Sequence, residues 1–183
     1  AETLEFSCLF SPHEEADELP DFASTAAQNK THWKNFWKTG GAVDFSECTD
    51  PRAPELERRT VLSQYLTKIN GSGNLPPQET GLTFNSWFGK FHLEMIWWHS
   101  AHYYNWQRTG YTANQLDYYQ AIYPQSAAFT REQGYKGVRW PKMVGPDGIN
   151  SPSSVGSYLI WQQPHLIYLA EQLYQSNPSK ATL

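Results

Sequence analysis

Apolar residues recur at helical spacing along most of the chain, and this pattern predicts an all-α fold of about five main helices. The first is capped by Asp21 and ends before Gly40-Gly41, where glycine terminates a helix at low cost. Pro124 is expected to kink the fourth helix, because proline removes a backbone donor. The predicted helices cover about residues 21–38, 54–69, 91–108, 112–133 and 156–175.

The first ten residues alternate between apolar and polar, which is typical of a strand. Because an isolated strand is marginally stable, we expect it to belong to a β domain that precedes this chain. Residues 11–20 are acidic and bounded by proline, as a linker would be. The predicted domains are therefore 1–20, the end of a β domain and its linker, and 21–183, a helical domain.

Composition narrows the classes of function that the chain can have. Its 183 residues include 8 Trp and 11 Tyr, only 17% are charged, and the formal net charge is −4. Lysine and arginine are scattered, which argues against a nucleic-acid partner, since such proteins concentrate basic residues on one face. The longest apolar run falls short of the roughly 18–20 residues of a membrane span, so no membrane partner is expected.

Cysteine usage and two glycosylation triplets bear on where the protein works. Cys8 and Cys48 are too few for a disulfide scaffold; they are either two unrelated buried residues or one disulfide of an exported protein. The triplets begin at Asn29 and Asn70 and support export weakly. We expect a secreted or periplasmic protein.

Two dense runs of aromatic, charged and amide residues carry the candidate chemistry. Residues 89–102 hold one carboxylate, three imidazoles and two indoles, and residues 134–148 form the second run. Both lie in or beside the long loops 70–90 and 134–155, and loops of this length are commonly functional. Rings that cover the apolar faces of a pyranose, next to groups that bind its hydroxyls, indicate a carbohydrate site.

Glu94 is the candidate catalytic residue. Glycoside cleavage needs an acid with a raised pKa, which burial against rings such as Trp97 and Trp98 would supply. A position at the start of a helix would instead keep the carboxylate ionised, and the sequence leaves both possibilities open. His92 is the best candidate ligand for a sugar hydroxyl.

The remaining histidines of this run, His99 and His102, fall with His92 on one helical stripe. Their spacing matches no familiar zinc motif, so core histidines bonded to their neighbours are expected rather than a metal site. Neither a metal nor another cofactor is predicted.

The second run and the segment after it supply further candidates. Trp140 could stack on a sugar ring, whereas Arg139 and Lys142 could bind a uronate or pair with Asp147, itself in an ordinary turn sequence. Indole and amide groups after residue 160 suit vicinal diols or satisfy one another in a core. The candidate substrate-binding residues are Trp87, Lys90, Phe91, His92, Arg139, Trp140, Lys142, Asp147, Trp161, Gln162, Gln163 and His165.

These runs resemble the six-hairpin glycosidases, and among them the maltose, trehalose and kojibiose phosphorylase family and its hydrolase-like relatives. The segment from Gly89 to Glu94 looks like the family's Phe-Trp-Asp-Thr-Glu motif, with Glu94 on the glutamate, His92 on the sugar-binding aspartate and Phe91 on the tryptophan. Residues 134–141 are similar to its Gly-x-x-Gly-Ala-x-Tyr-Pro-Trp run, and 161–165 occupy the place of the next inner helix.

The resemblance implies part of an (α/α)6 toroid that hydrolyses a glycosidic bond, with inversion, using Glu94 and a second carboxylate beyond Leu183. The open face would be covered by the rest of the toroid or by a second copy of the chain. Phe91 and His92 depart from the phosphorylase pattern, which argues against phosphorylase specificity. Two alternatives stay open: a disaccharide phosphorylase on the same scaffold, and a non-catalytic carbohydrate-binding helical domain.

Overall fold

The computed structural model describes residues 3–9, 19–156 and 158–182. The chain forms two compact units, one up to Gly40 and one from Gly41 onward. This division falls about twenty residues later than the predicted domain boundary, because the first predicted helix belongs to the N-terminal unit.

The N-terminal unit is built on helix α1, Phe22–Lys38, as the sequence predicts. The side chain of its N-cap residue Asp21 accepts a hydrogen bond from Ser24 N at 2.6 Å. Three rings of its last turns pack edge to face or stacked: Trp33, Phe36 and Trp37. Residues 3–9 form no strand, and the rest of the predicted strand and most of the acidic linker lie outside the described residues.

The second unit is mostly helical, which confirms the all-α class, and its sheet has only two short strands. The helices are α2 Ala53–Gly71, α3 Ile96–Ser100, α4 His102–Asn105, α5 Gly110–Ala121, α6 Tyr123–Glu132 and α7 His165–Ser176. Strand β1, Phe91–His92, pairs antiparallel with β2, Met143–Val144, so that Phe91 opposes Val144 and His92 opposes Met143.

The predicted third helix is wrong over its first turn. His92 N donates to Pro77 O at 3.1 Å and Glu94 N to Lys142 O at 3.2 Å, so these backbone groups are satisfied by distant segments instead of by a helical turn. A helix begins only at Ile96, and Ala101 divides it into α3 and α4.

The predicted fourth and fifth helices also begin or divide elsewhere. The fourth is broken at Ile122 into α5 and α6, and Pro124 lies in the first turn of α6, where a missing N–H costs nothing. The fifth begins at His165 instead of residue 156, with Pro164 as its N-cap residue.

One apolar core lies between α3, α5, α7 and the small sheet. Leu93 and Ile96 pack there with residues of the other elements. Its buried members are Leu93, Ile96, Tyr118, Tyr119, Ile122, Trp140, Val144 and Leu169. Glu94 therefore lies between two core residues, Leu93 directly before it and Ile96 two positions after it.

The loop after α2 is held back against the helix by Asn70. Its Oδ1 accepts hydrogen bonds from Leu82 N at 2.9 Å and Thr83 N at 3.2 Å. Gly81 has φ +85°, and a Cβ there would lie 2.5 Å from Asn70 Cβ. Only glycine fits this position, and it allows the loop to pass close to Asn70.

Two sequence expectations concern the cysteines and the membrane. Cys8 and Cys48 are both free and exposed, so the expectation that they are buried is wrong and they form no disulfide in the structure.

Among the described residues, no helix combines the length and the apolar character that crossing a membrane requires.

Replacing Gly148 with alanine should destabilise the chain more than replacing Gly137. Both glycines have positive φ, but a Cβ at Gly148 would lie 2.6 Å from Ile122 Cβ, whereas one at Gly137 meets nothing within 4 Å. We expect Gly137→Ala to lower the free energy of unfolding by about 1–2 kcal/mol and Gly148→Ala by about 1–3 kcal/mol more. Urea unfolding followed by tryptophan fluorescence measures both, and equal losses would contradict the packing around Ile122.

Candidate functional site

A buried ion pair lies where β1 and β2 meet. The backbone bond from Glu94 to Lys142 puts the two residues side by side, and Lys142 Nζ lies 3.1 Å from Glu94 Oε2. Only 7% of the lysine side chain and 15% of the glutamate side chain are exposed. Removing one partner of such a pair leaves a buried uncompensated charge, at a cost of about 3–5 kcal/mol.

His92 extends this pair into a row of charged and polar groups. It is buried at the end of β1, and its Nε2 lies 3.1 Å from Glu94 Oε2. On the other side of the ring, Nδ1 lies 3.9 Å from Oε2 of Glu79. The order of groups is Glu79, His92, Glu94 and Lys142.

Glu79 is a residue of this site that the sequence analysis missed. Two hydrogen bonds hold its segment, one to β1 and one to α3: His92 N donates to Pro77 O, and the His99 ring nitrogen Nε2 lies 2.8 Å from Glu79 O. The only signal in the sequence is that Glu79 belongs to the long loop 70–90. No spacing pattern connects it to Glu94, because the connection is made by backbone contacts across the fold.

The surroundings of Glu94 keep its carboxylate ionised. Burial works to raise the pKa of Glu94, but hydrogen bonds from His92 and Lys142 outweigh burial, and the pKa lies below its usual value. Burial lowers the pKa of His92 more than Glu94 and Glu79 raise it. Near neutral pH the imidazole is therefore neutral, and its Nε2 carries the hydrogen donated to Glu94.

Three exposed or half-exposed indoles surround the carboxylate. Trp161 Nε1 donates to Glu94 Oε1 at 3.2 Å, and the Trp98 ring packs edge to face on Trp161 with centroids 5.0 Å apart. Trp87 lies on the opposite side, with Lys142 Nζ 4.5 Å from its ring centroid. An ionised carboxylate therefore lies beside accessible aromatic surface.

The backbone that carries Trp87 is strained. Trp87, Phe88 and Gly89 are consecutive residues with φ of 49°, 64° and 70°. A residue with a side chain pays about 1–2 kcal/mol for a left-handed conformation, and such strain is concentrated at functional sites. The turn sets the Trp87 ring over Lys142 and beside His92, with ring centroids 6.2 Å apart for the latter pair.

The structure therefore brings together five of the predicted site residues, Glu94, His92, Lys142, Trp161 and Trp87. Trp98, which the sequence placed only near Glu94, joins them. Of the two alternatives for Lys142, binding a uronate or pairing with Asp147, the second is not the contact observed, because Lys142 Nζ pairs with Glu94 Oε2.

Several other predicted substrate-binding residues are engaged inside the protein. Trp140 is buried with its ring packed edge to face against Tyr119, centroids 4.8 Å apart. Phe91 packs on the core through Tyr118. Both rings are fixed by the core, and a direct contact of either with substrate stays a prediction.

The residues at the start of α7 hold the second loop in place. Gln163 Oε1 accepts from Trp140 N and its Nε2 donates to Trp140 O, each at 2.8 Å. Gln162 donates to Leu159 O, and His165 Nδ1 lies 3.4 Å from Leu93 O. These side chains bond to backbone groups of other segments, not to one another as the alternative from the sequence had it, and a role toward a substrate stays a prediction.

The remaining candidates contact groups other than Glu94. Arg139 Nη1 donates to Gln133 Oε1 at 3.0 Å, and Asp147 Oδ1 accepts from Ile149 N at 3.1 Å within its own turn. Lys90 Nζ lies 5.4 Å from the Phe88 ring centroid. Asp147 thus performs ordinary turn chemistry, and a role of these three residues toward a substrate stays a prediction.

The two later histidines are bonded to backbone carbonyls. His99 contacts Glu79 O, and His102 Nε2 lies 3.1 Å from His99 O, which agrees with their expected packing role. Because His92 is on a strand, the predicted single helical stripe does not form. Within the described ranges no group of three or more metal-ligating side chains is placed to hold a metal ion.

Comparison of the chain with protein-family models, with curated proteins and with solved structures gave no match. The resemblance to the six-hairpin glycosidases therefore rests on the motifs in the sequence.

Removing the lysine partner should raise the pKa of Glu94. In Lys142→Met, the largest remaining influence is burial, which favours the neutral acid. In the wild type the lowered pKa of Glu94 contributes to the stability of the fold at pH values above the usual carboxyl pKa, and this contribution is lost as the pH falls through the lowered pKa. The variant should therefore lose less stability than the wild type over the same fall in pH. Carboxyl ¹³C NMR titration of Glu94 measures the shift, with exposed Lys136→Met as the control, and an unchanged Glu94 titration would contradict the electrostatics described above.

Proposed function

We propose that the chain carries one wall of a glycoside hydrolase site, with Glu94 as a catalytic carboxylate. The observation that supports this proposal is the ionised Glu94 carboxylate, which accepts a hydrogen bond from the indole of Trp161 and lies among exposed rings. Rings and a carboxylate at this proximity can bind a pyranose by its faces and its hydroxyls.

The electrostatics favour one of the two roles that the sequence left open for Glu94. A proton donor needs a raised pKa, whereas the pKa of Glu94 is lowered. An ionised carboxylate suits the general base of an inverting glycosidase, which takes a proton from the attacking water. We therefore assign Glu94 to the base, and no cofactor takes part.

The scaffold that we propose is part of an (α/α)6 toroid. Helix α2 supports an open face, because Leu56, Leu62, Tyr65 and Leu66 on it are exposed. Apolar surface of this kind is normally covered; we propose that further helices of the ring or a second copy of the chain cover it. We also propose that the protein is secreted or periplasmic.

One observation favours a second candidate, a non-catalytic carbohydrate-binding domain. The Glu94 carboxylate receives hydrogen bonds from His92, Lys142 and Trp161, so it is as fully satisfied as a structural carboxylate would be. A disaccharide phosphorylase has less support, since it needs cations for phosphate and Lys142 is committed to Glu94.

The test is the cleavage of a panel of 4-nitrophenyl glycosides by the wild type, Glu94→Gln and Glu94→Asp, with the exposed Glu132→Gln as the matched control. We expect Glu94→Gln to lose about 10²–10⁴-fold in kcat/KM, the usual contribution of a general base, while Glu132→Gln keeps the wild-type rate. Circular dichroism and thermal melting establish that each variant folds.

Three outcomes would overturn this assignment. Unchanged turnover in Glu94→Gln would exclude Glu94 as the base. A wild type that binds oligosaccharides, measured by tryptophan fluorescence, but cleaves no member of the panel would favour the binding domain. A strict dependence of cleavage on inorganic phosphate would favour the phosphorylase.

A further inference from the structure

Helix α2 turns polar residues toward the protein and apolar residues toward solvent. Its buried residues are Ala53, Gln64 and Gly71, none of which has a large apolar side chain. Residues two positions apart on a helix lie on nearly opposite sides, and the two that flank Gln64 in this way, Leu62 and Leu66, are exposed. Because a helix normally packs its apolar stripe on the core, the polar inner face of α2 needs a separate explanation.

An open cavity of about 400 Å³ lies between this face and the segment of α4. Its volume falls within the roughly 300–1,000 Å³ of small-molecule sites. Four polar residues of α2 line it at the spacing i, i+3, i+4 and i+7, so they share one side of the helix. These four and two rings from α4 and its C-cap are Thr60, Ser63, Gln64, Thr67, His102 and Trp106. None of them belongs to the cluster around Glu94.

The two threonine hydroxyls of this wall use their hydrogens within the helix. Thr60 Oγ1 donates to Leu56 O at 2.9 Å, and Thr67 Oγ1 donates to Ser63 O at 2.7 Å. A hydroxyl that donates in this way still has lone pairs with which it accepts. Ser63, in the turn between the threonines, is exposed, and its hydroxyl can rotate to donate or accept. The wall therefore provides two acceptors and one group of either kind.

Gln64, the most buried residue of this wall, adds a donor that lacks an acceptor. Arg108 Nη1 donates to Gln64 Oε1 at 2.8 Å, which fixes the amide oxygen on the arginine and leaves Nε2 as the other end of the amide. This Nε2 is buried and has no hydrogen-bond partner among the described residues, which is unfavourable for an N–H group. A ligand oxygen in the cavity supplies the missing acceptor once the amide turns slightly toward it.

Trp106 adds an indole ring whose position is set by close backbone packing. Gly41 N donates to Trp106 O at 2.7 Å, and a Cβ on Gly41 would lie 2.9 Å from Cε3 of the indole. Glycine at this position therefore allows the chain to pass directly against the half-buried ring. An indole beside a row of hydroxyl and amide groups matches a pyranose, which has apolar faces and polar edges.

The charges around the cavity favour an uncharged ligand. Burial lowers the pKa of His102 more than its bond to the His99 carbonyl raises it, so the imidazole is neutral near neutral pH. Arg59 also lines the cavity, but its side chain is largely exposed and pairs with Glu55 at 2.7 Å. Among the described residues that line the cavity, none is a carboxylate, so the lining carries no group suited to general acid or base catalysis of glycoside cleavage.

We propose that the cavity between α2 and α4 is a second saccharide site, which binds a neutral sugar and does not cleave it. The sugar ring packs on Trp106, its hydroxyls donate to Thr60 and Thr67, and one of its oxygens accepts from Gln64. Vicinal hydroxyls suit this wall because each of them both donates and accepts. The inference does not rest on the proposed function, since the cavity shares no residue with the cluster around Glu94.

The first experiment locates bound sugar by NMR. The side-chain N–H signals of tryptophan and glutamine are followed in ¹H–¹⁵N spectra while glucose, maltose or cellobiose is added to the full chain. We expect the signals of Trp106 Nε1 and Gln64 Nε2 to shift together along one saturable curve. Glucuronate is titrated in parallel, and we expect it to bind more weakly than glucose because the lining favours an uncharged ligand.

The second experiment removes the hydroxyls and keeps the shape of the wall. In Thr60→Val/Thr67→Val each hydroxyl is replaced by a methyl group, and the exposed Thr31→Val on α1 is the matched control. We expect the double variant to raise the Kd of the sugar measured at Trp106 by about tenfold, as the loss of two modest hydrogen bonds would. The control should keep the wild-type Kd. Melting temperatures near that of the wild type exclude misfolding as the cause of a loss.

Four results would overturn the proposal. If no neutral sugar shifts the Trp106 signal, the cavity holds only water. If sugar shifts Trp87 and Trp161 but not Trp106, it binds at the Glu94 cluster alone. Tighter binding of glucuronate than of glucose would make the cavity an anion site. A double threonine variant that binds sugar as well as Thr31→Val would exclude the hydroxyls of α2 as its ligands.

These outcomes are independent of the test of the proposed function. A wild type that cleaves no glycoside but shifts its Trp106 signal with sugar would remove the hydrolase assignment and support the second site. A wild type that depends on Glu94 for cleavage but shows no response at Trp106 would do the reverse.

Discussion

The buried contact between Glu94 and Lys142 is the interaction on which the candidate site depends. Taking both charges out of water costs several kcal/mol per ion, and their attraction repays this only with good geometry and further hydrogen bonds. The contact meets those conditions, since the Nζ–Oε2 distance is 3.1 Å and His92 and Trp161 donate to the same carboxylate. The site is therefore assembled around one ionised group whose four bonding positions are nearly filled.

This arrangement explains why so small a sheet is present in a helical protein. The pairing of β1 with β2, continued by the bond from Glu94 N to Lys142 O, sets the two charged side chains next to each other. A continuous helix over the same residues would have turned His92 and Glu94 to different faces. The two-residue strands thus create the charge cluster, and the Gln163 amide, bonded to both backbone groups of Trp140, holds the segment that leads into β2.

Local chemistry made part of this structure predictable. The Asp21 cap and the double glycine placed α1 correctly. The density of rings and polar groups around Glu94 directed attention to the candidate site, whose function stays a prediction. Helical periodicity failed from Phe91 to Met95, because nonlocal backbone bonds outweighed it. It also failed before α7, where Gln162 and Gln163 bond to loop carbonyls in place of a helical turn.

The sequence could not reveal Glu79 or the burial of Trp140 for a shared reason. Glu79 reaches His92 through contacts at Pro77 and His99, and Trp140 becomes a core ring because it meets Tyr119 across the fold. Neither relation leaves a spacing pattern along the chain. Residue types therefore supplied the candidates, while tertiary contacts decided which of these side chains lie together.

A double-mutant cycle on Glu94 and Lys142 tests the central claim most directly. The free energies of unfolding of the wild type, Glu94→Gln, Lys142→Met and the double variant are measured by urea denaturation near neutral pH. We predict that each single change costs about 3–5 kcal/mol and that the double variant loses less than their sum by about 1–3 kcal/mol, as coupled residues do. Costs that add to within about 0.5 kcal/mol would mean that the two residues are independent and would contradict a site built on their interaction.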